Sequence, residues 1–377
     1  MRGGFPGFMS AALQANSTPA AAPPAAGIIE SIQQIEFTIA SSSATGTKTI
    51  TSVDTANTAI FFSTHHFGGR RQTDTSNGSN NTQVRVDLTN ATTVTATRNA
   101  SPAFAIDVIC TVVEYTSAAI SSIQQGSITV LTTSPSNTDT ITSVDVARSV
   151  VVHNGQSTIQ TNTVQGSVWF DVALTNATTV TVTRDRASST TTIVNYVVIE
   201  FATGVVDSVQ EFNITITDAG AATATATITS VDTSVSAIFP GGIKCNDTGA
   251  INVDHDVCHA QLTNGTTVTA TRSAVLAVQP TVAGTVVEFA SGKTDNVQRG
   301  VATVDGGSLT EDVTVTSVET SRSVVSALSC TSDSVASFDT EEQTFTLEIV
   351  NATTIRAKRN VTGRDIIFSW ELVEYAA

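Results

Sequence analysis

Leu88-Thr89-Asn90-Ala91-Thr92-Thr93-Val94-Thr95-Ala96-Thr97-Arg98 is the stretch that decides the fold. From Thr93 to Thr97 the threonines fall on one side of an extended chain, with Val94 and Ala96 on the other. A period of two carried by β-branched residues predicts a half-buried β-strand. The Thr-Asn-Ala-Thr before it reads as a tight hairpin turn, with Asn90 in a left-handed conformation. The same sentence returns at 174–184, at 262–272 and, with changes, at 349–359.

Working outward, each return brings the same neighbours. Ser31-Ile32-Gln33-Gln34 and Thr49-Ile50-Thr51-Ser52-Val53-Asp54 precede the first copy of the stretch, and Val112-Val113-Glu114-Tyr115 follows it. The matched acids Asp54, Asp145, Asp232 and Glu319 are 91, 87 and 87 positions apart (54 to 145 to 232 to 319). Four units follow, at 28–117, 118–203, 204–291 and 292–377, after an arm at 1–27. A unit of this length is large enough to close its own small core. The expected fold is all-β: four tandem small antiparallel β-sandwich repeats after a short irregular N-terminal arm. Each has six or seven strands, and helix is close to absent. Chemistry that an enzyme needs once is rarely written four times, whereas a building block usually is.

Composition narrows the function. With 18 basic and 33 acidic residues the net charge is -15, which argues against a nucleic-acid binder or an anionic-membrane binder. No apolar run is long enough to insert in a membrane. The N-terminus lacks a continuous apolar core before Thr18-Pro19, so a secretory signal is not expected. The Asn-X-Thr triplets at Asn90 and Asn264 then read as turns rather than glycan acceptors. The arm is rich in Gly, Ala and Pro; Phe5 and Phe8 are the candidate anchors should it order on a partner.

Recurring charges are the first site candidates. Arg98 and Glu114, Arg184 and Glu200, and Arg272 and Glu288 are each 16 apart, and Arg359 and Glu374 are 15 apart. That constancy predicts a cross-strand structural ion pair in each unit. The matched acid ending each Thr-Ser-Val block is expected to bond turn amides. Variation between copies falls mainly between that block and the Leu-Thr-Asn strand, where loops carry His65, His66, Arg70 and Arg71 in the first copy and His255 and His259 in the third. These are candidate contact loops. Cys110 reads as a buried thiol. Cys245 and Cys258 leave open a local disulfide, two free thiols, or a site with His255 and His259 whose spacing matches no standard zinc finger. There is no catalytic triad order or phosphate loop, so no catalytic residue, cofactor or metal is expected. The four Lys do not recur at matched positions, which argues against one isopeptide bond per unit.

The unit Ile/Val-Gln-x-Gly, Thr-Ile-Thr-Ser-Val-Asp, Leu-Thr-Asn-Ala-Thr-Thr-Val-Thr-Ala-Thr-Arg and Val-Val-Glu-Phe resembles tandem β-repeats in virion surface proteins of tailed bacteriophages, over 28–377. Gly126 and Gly300 complete the Gln-x-Gly match, while Ile35 and Phe212 depart from it. The resemblance implies a structural fibre or decoration protein on the virion surface, synthesised in the host cytoplasm and held to capsid or tail proteins by its arm. Small trimeric H-type lectins have a broadly similar strand pattern, without a matching sugar-binding motif here. The alternative function is adhesion to a host surface glycan. A rod of four units, associating laterally as a homotrimer, is the expected assembly.

Overall fold

The computed structural model describes residues 27–62, 70–71, 83–99, 103–158, 165–187, 191–217, 220–246, 257–272, 278–332 and 344–377. The first copy holds β1 (Ile29–Ile39), β2 (Thr45–Thr49), β3 (Thr58–Phe62), β4 (Arg70–Arg71), β5 (Arg85–Asn90), β6 (Thr93–Thr97) and β7 (Ile106–Tyr115). The second holds β8 (Ile120–Val130), β9 (Ser136–Thr140), β10 (Ser149–Thr158), β11 (Asp171–Asn176), β12 (Thr179–Thr183) and β13 (Thr192–Phe201). The third holds β14 (Val206–Thr215), β15 (Thr223–Thr227), β16 (Ser236–Cys245), β17 (His259–Asn264), β18 (Thr267–Thr271) and β19 (Pro280–Phe289). The fourth holds β20 (Thr294–Val304), β21 (Thr310–Thr314), β22 (Ser323–Ser332), β23 (Thr346–Asn351), β24 (Thr354–Lys358) and β25 (Ile366–Tyr375). The fold is all-β, a set of small antiparallel sheets in tandem, and the helix among the described residues is confined to short 3-10 turns.

The sheets obey one plan. The last strand of a copy lies between its first and third strands, as β7 does between β1 and β3; the hairpin β5–β6 adds β2 to make a second sheet. Both sheets of the second copy contribute to one core, with Ile128 and Val198 from the first sheet meeting Val172 and Val182 from the second. The hairpin turn differs from expectation. Asn90, Asn176, Asn264 and Asn351 each accept the amide of the residue two positions on, at 2.9 Å. None of them has a positive φ; the side chain makes the turn, so the backbone need not enter the left-handed region.

Alternation along the last strands explains how the copies meet. Val112 points into its own copy's core, while Val113 and Tyr115 point the other way. Val113, Val197, Val287 and Val373 all reach one apolar hub shared by the four copies. There the ring of Tyr115 meets Phe201 edge-on at 6.1 Å, Phe201 meets Phe289 at 5.8 Å, and Phe289 meets Tyr375 at 5.6 Å. Tyr375 and Tyr115 belong to the same cluster, so the rings of all four copies share the hub. Second sheets meanwhile reach the first sheet of the next copy: β5 pairs with β10 at Arg85 and Gly155, and β11 pairs with β16 at Asp171 and Gly242. Between the fourth copy and the first, Lys358 lies 3.6 Å from Glu36, and Asn360 donates to Asp107 at 3.1 Å.

Two expectations are corrected here. The copies close into a ring instead of extending as a rod, because their last strands carry apolar residues on both faces and need a second buried surface. Nor is each core wholly self-contained: the core of the first and third copies is continuous and takes in Trp169 and Leu328 from the other two.

Candidate functional site

The recurring charges are built into the scaffold. Arg98 is fully buried at the end of β6, and its guanidinium donates to the carbonyls of Ser43, Ala40 and Phe104 at 2.8–3.1 Å. Arg184 donates likewise to Ser134, Leu131 and Ser167. Arg272 donates to Ala221 and Val278, and Arg359 to Ser308, Arg364 and Asp305. Burial lowers Arg98 to about 10, which leaves it charged at neutral pH. Its guanidinium also stacks 5.5 Å from the Phe104 ring, and Arg184 does the same over Phe170.

The matched glutamates do other work. Glu114 accepts the Asp54 amide at 2.7 Å and the Ser31 hydroxyl at 2.8 Å. Glu200 accepts the Asp145 amide, Glu288 the Asp232 amide and Glu374 the Glu319 amide, at 2.7–3.1 Å. The expected Arg98–Glu114, Arg184–Glu200, Arg272–Glu288 and Arg359–Glu374 pairs are therefore not made. Their constant spacing measures the passage of the chain from the second sheet to the first, which carries the two residues apart.

The acids at the block ends behave as expected. Asp54, Asp145, Asp232 and Glu319 each accept the amide two residues on. Hydrogen bonds from the Ser234 hydroxyl and amide hold Asp232 below the ordinary carboxylate range. A contact that sequence reading missed is the reciprocal amide pair between the motif Gln and the Thr-Ser-Val block. Gln33 donates to Thr51 O at 3.1 Å and accepts Thr51 N–H at 2.8 Å, and Gln124, Gln210 and Gln298 repeat this with Thr142, Thr229 and Thr316. The signal was available in the recurrence of that Gln at every copy's first strand.

Phe5, Phe8, His65, His66 and His255 lie outside the described residues. Arg70 and Arg71 form strand β4 against Asp107 and Ile106, where a loop was expected. His259 is a strand residue of β17, only 4% exposed, and burial lowers its imidazole to about 4; it is no contact loop. Cys110, Cys245, Cys258 and Cys330 are buried thiols outside any disulfide, with the Cys258 thiol pushed up to about 12 by burial. No group of metal-ligating side chains occurs among the described residues.

One recess opens at the junction of the third and fourth copies. It is a polar cleft lined by Thr233, Gln261, Leu262, Thr263, Asn264 and Arg299. Arg299 pairs with the buried carboxylate of Glu371 at 2.8 Å and donates to Thr233 O and Ser236 O. Burial raises the Glu371 carboxyl, and Arg299 opposes that rise. Comparison with known proteins finds no match for this chain among family models, curated proteins or solved structures.

Proposed function

We propose that this chain is a non-enzymatic structural protein of a tailed-bacteriophage particle: a capsid- or tail-attached fibre or decoration protein, made in the host cytoplasm and displayed on the virion surface. Four β-sandwich units form its body, and the arm bearing Phe5 and Phe8 tethers it to other virion proteins. One observation carries this reading. The polar residues that recur in all four copies (the motif Gln, the block acid, the turn Asn, the strand-end Arg and the Glu) bond the backbone of their own copy. Repetition here serves construction. The ring makes the body a compact head on a tether.

Assembly into a homo-oligomer belongs to the same proposal. A trimer is the proposed number of chains, and the mass of the purified full-length and arm-less proteins tests it: a monomer in both would remove it.

The test is a protein inventory of purified particles of the phage that encodes this chain. The full-length chain should be present at fixed stoichiometry, and a version lacking residues 1–27 should fold and be missing from particles. Its absence from wild-type particles, or normal incorporation without the arm, defeats the reading. A second reading, adhesion to a host surface glycan, is favoured by the polar cleft beside Arg299.

A further inference from the structure

Each second sheet ends on a short outer strand, β2, β9, β15 or β21. Alternate residues of such a strand turn their backbone N–H and C=O away from the sheet. In β15 the phase is fixed by the bonds from Arg272 N–H to Ala222 O and from Ile228 N–H to Thr266 O. Ala224 and Ala226 therefore bond β18, while Thr223, Thr225 and Thr227 face outward. The next outward position, Thr229, is closed by the carboxamide of Gln210. An open edge is a template for a further strand, and folded proteins blunt it with charge or local hydrogen bonds.

Three of the four edges are blunted. On β2 the Ser43 hydroxyl accepts Thr45 N–H and donates to Thr45 O, and Lys48 stands within the strand. On β9 the Ser134 hydroxyl donates to Ser136 O, and Asp139 accepts Thr140 N–H at 2.8 Å. On β21 the central outward residue is Asp312, ion-paired with Arg356 and with Glu311 beside it. β15 has no such device. It reads Thr-Ala-Thr-Ala-Thr with all three threonines exposed, and Ala221 stands where the first two copies have Ser43 and Ser134. From 219 to 231 the chain carries no charged side chain.

We propose that the β15 edge is a contact between two copies of this chain, paired antiparallel about a two-fold axis through Thr225. The strand reads the same in both directions, which is what a self-complementary contact requires. Thr225 exchanges both backbone bonds with its counterpart, and Thr223 does so with Thr227 on either side of it. The same pairing through β21 sets Asp312 against Asp312, and through β9 it takes Thr140 N–H from Asp139. In a chain of net charge -15, the uncharged edge is where two copies meet with least repulsion. The contact is short, so it is weak in dilute solution. It goes beyond the proposed function and joins two units whether the unit is one chain or a trimer.

Sedimentation equilibrium of the full chain over a wide concentration range tests it. The mass should double from its dilute value, and the amides of Thr223, Thr225 and Thr227 should gain protection from hydrogen exchange as it does. T225D, which imports the fourth copy's Asp312, and T225K should each stop the doubling. T225P should stop it without a charge, by removing an N–H that bonds nothing within the sheet. An equimolar mixture of T225D and T225K should associate at least about tenfold more tightly than either alone. T138D, at the matched place on β9, should double like the parent. Thermal melting establishes that each variant folds. A mass that stays constant, or doubling that survives T225D or T225P, overturns the contact. So does a T225D/T225K mixture that stays dissociated, or loss of doubling in folded T138D. A strand of another protein protecting the three amides, with no doubling of the chain alone, would overturn the second copy as the occupant. The dilute mass tests the trimer and the doubling tests this edge, so the two failures are distinguishable.

Discussion

Gly27 and Ala377, separated by the whole body of the chain, lie against each other: a Cβ on Gly27 would meet the Ala377 carbonyl carbon at 2.6 Å. The gap between the fourth copy and the first is thus like the linker at Thr116–Ala119, where the chain passes from β7 to β8. A circular permutant that joins Ala377 to Gly27 through a few Gly and Ser residues and opens between the exposed Ser117 and Ala118 should fold. Its stability should lie within about 1 kcal/mol of the arm-less parent, since closing a short loop between adjacent ends costs little entropy. Urea unfolding and small-angle scattering measure both properties. An extended scattering profile for either protein would contradict the ring.

Arg184 and Glu200 are expected to act independently. Removing the guanidinium in Arg184→Ala leaves the buried carbonyls of Ser134, Leu131 and Ser167 without their donor, at a cost of at least about 2 kcal/mol. Arg184→Lys should recover only part of this, because an ammonium does not reproduce the planar fork. Glu200→Ala removes the acceptor of the Asp145 amide on the other sheet. The double variant should therefore equal the sum of the singles within about 0.5 kcal/mol. A coupling well above that in urea titrations would show a shared network.

The strands and the copies were legible in the sequence because period-two patterning reports directly on which face is buried. Asp145 and its counterparts were legible for the same local reason: a carboxylate two residues from a turn amide has one obvious partner. Arg184 was misread because spacing along a chain gives separation in sequence and not the sheet on which each residue lands. The hub was missed although a signal existed. Ile106-Asp107-Val108-Ile109-Cys110-Thr111-Val112-Val113-Glu114-Tyr115 is apolar on both faces over most of its length, which marks a strand covered on both sides. The recess beside Arg299 lies between two copies, and no single-copy reading reveals a junction.

His259 and His153 make the fold acid-sensitive above the carboxylate range. Both are buried and their imidazoles are lowered, to about 4 and about 3, chiefly by desolvation. In the unfolded chain an imidazole takes up its proton near pH ~6.5. Their contribution is fully present above that pH and is lost as pH falls toward the folded values, because the unfolded state binds protons first. Each histidine adds a slope of up to about 1.4 kcal/mol per pH unit. His259→Thr, which imports the fourth copy's Thr346, should flatten the fall in stability between pH ~6.5 and ~4 by one proton's worth. Denaturation midpoints at several pH values, parent against variant, report it; parallel curves would mean that His259 is protonated in the fold.

Copies 1 and 3 depart from the Gln-x-Gly pattern because of what lies across the sheet. Gly126 faces Tyr196 and Gly300 faces Trp370, whereas Phe212 faces Gly284 and Ile35 faces Cys110. A Cβ on Gly300 would stand 2.9 Å from the Trp370 ring, and one on Gly284 would stand 2.9 Å from the Phe212 ring. Three of these pairs thus join a ring to a glycine, with the ring supplied by either strand, and the first copy sets two residues of intermediate size, Ile35 and Cys110, against each other. Gly126→Ala should cost about 1–3 kcal/mol by overpacking against Tyr196. Tyr196→Gly should cost about 3–5 kcal/mol through the cavity it leaves. The exchange G126F/Y196G restores the arrangement of the third copy, so it should be more stable than the sum of G126F and Y196G predicts, by about 0.5–3 kcal/mol. The Tyr196 hydroxyl donates to Asp139 at 2.7 Å, and that bond is not recovered, so the exchange should remain below the parent. Additive costs in the double-mutant cycle would show that the volume across the pair is not what fixes the glycine.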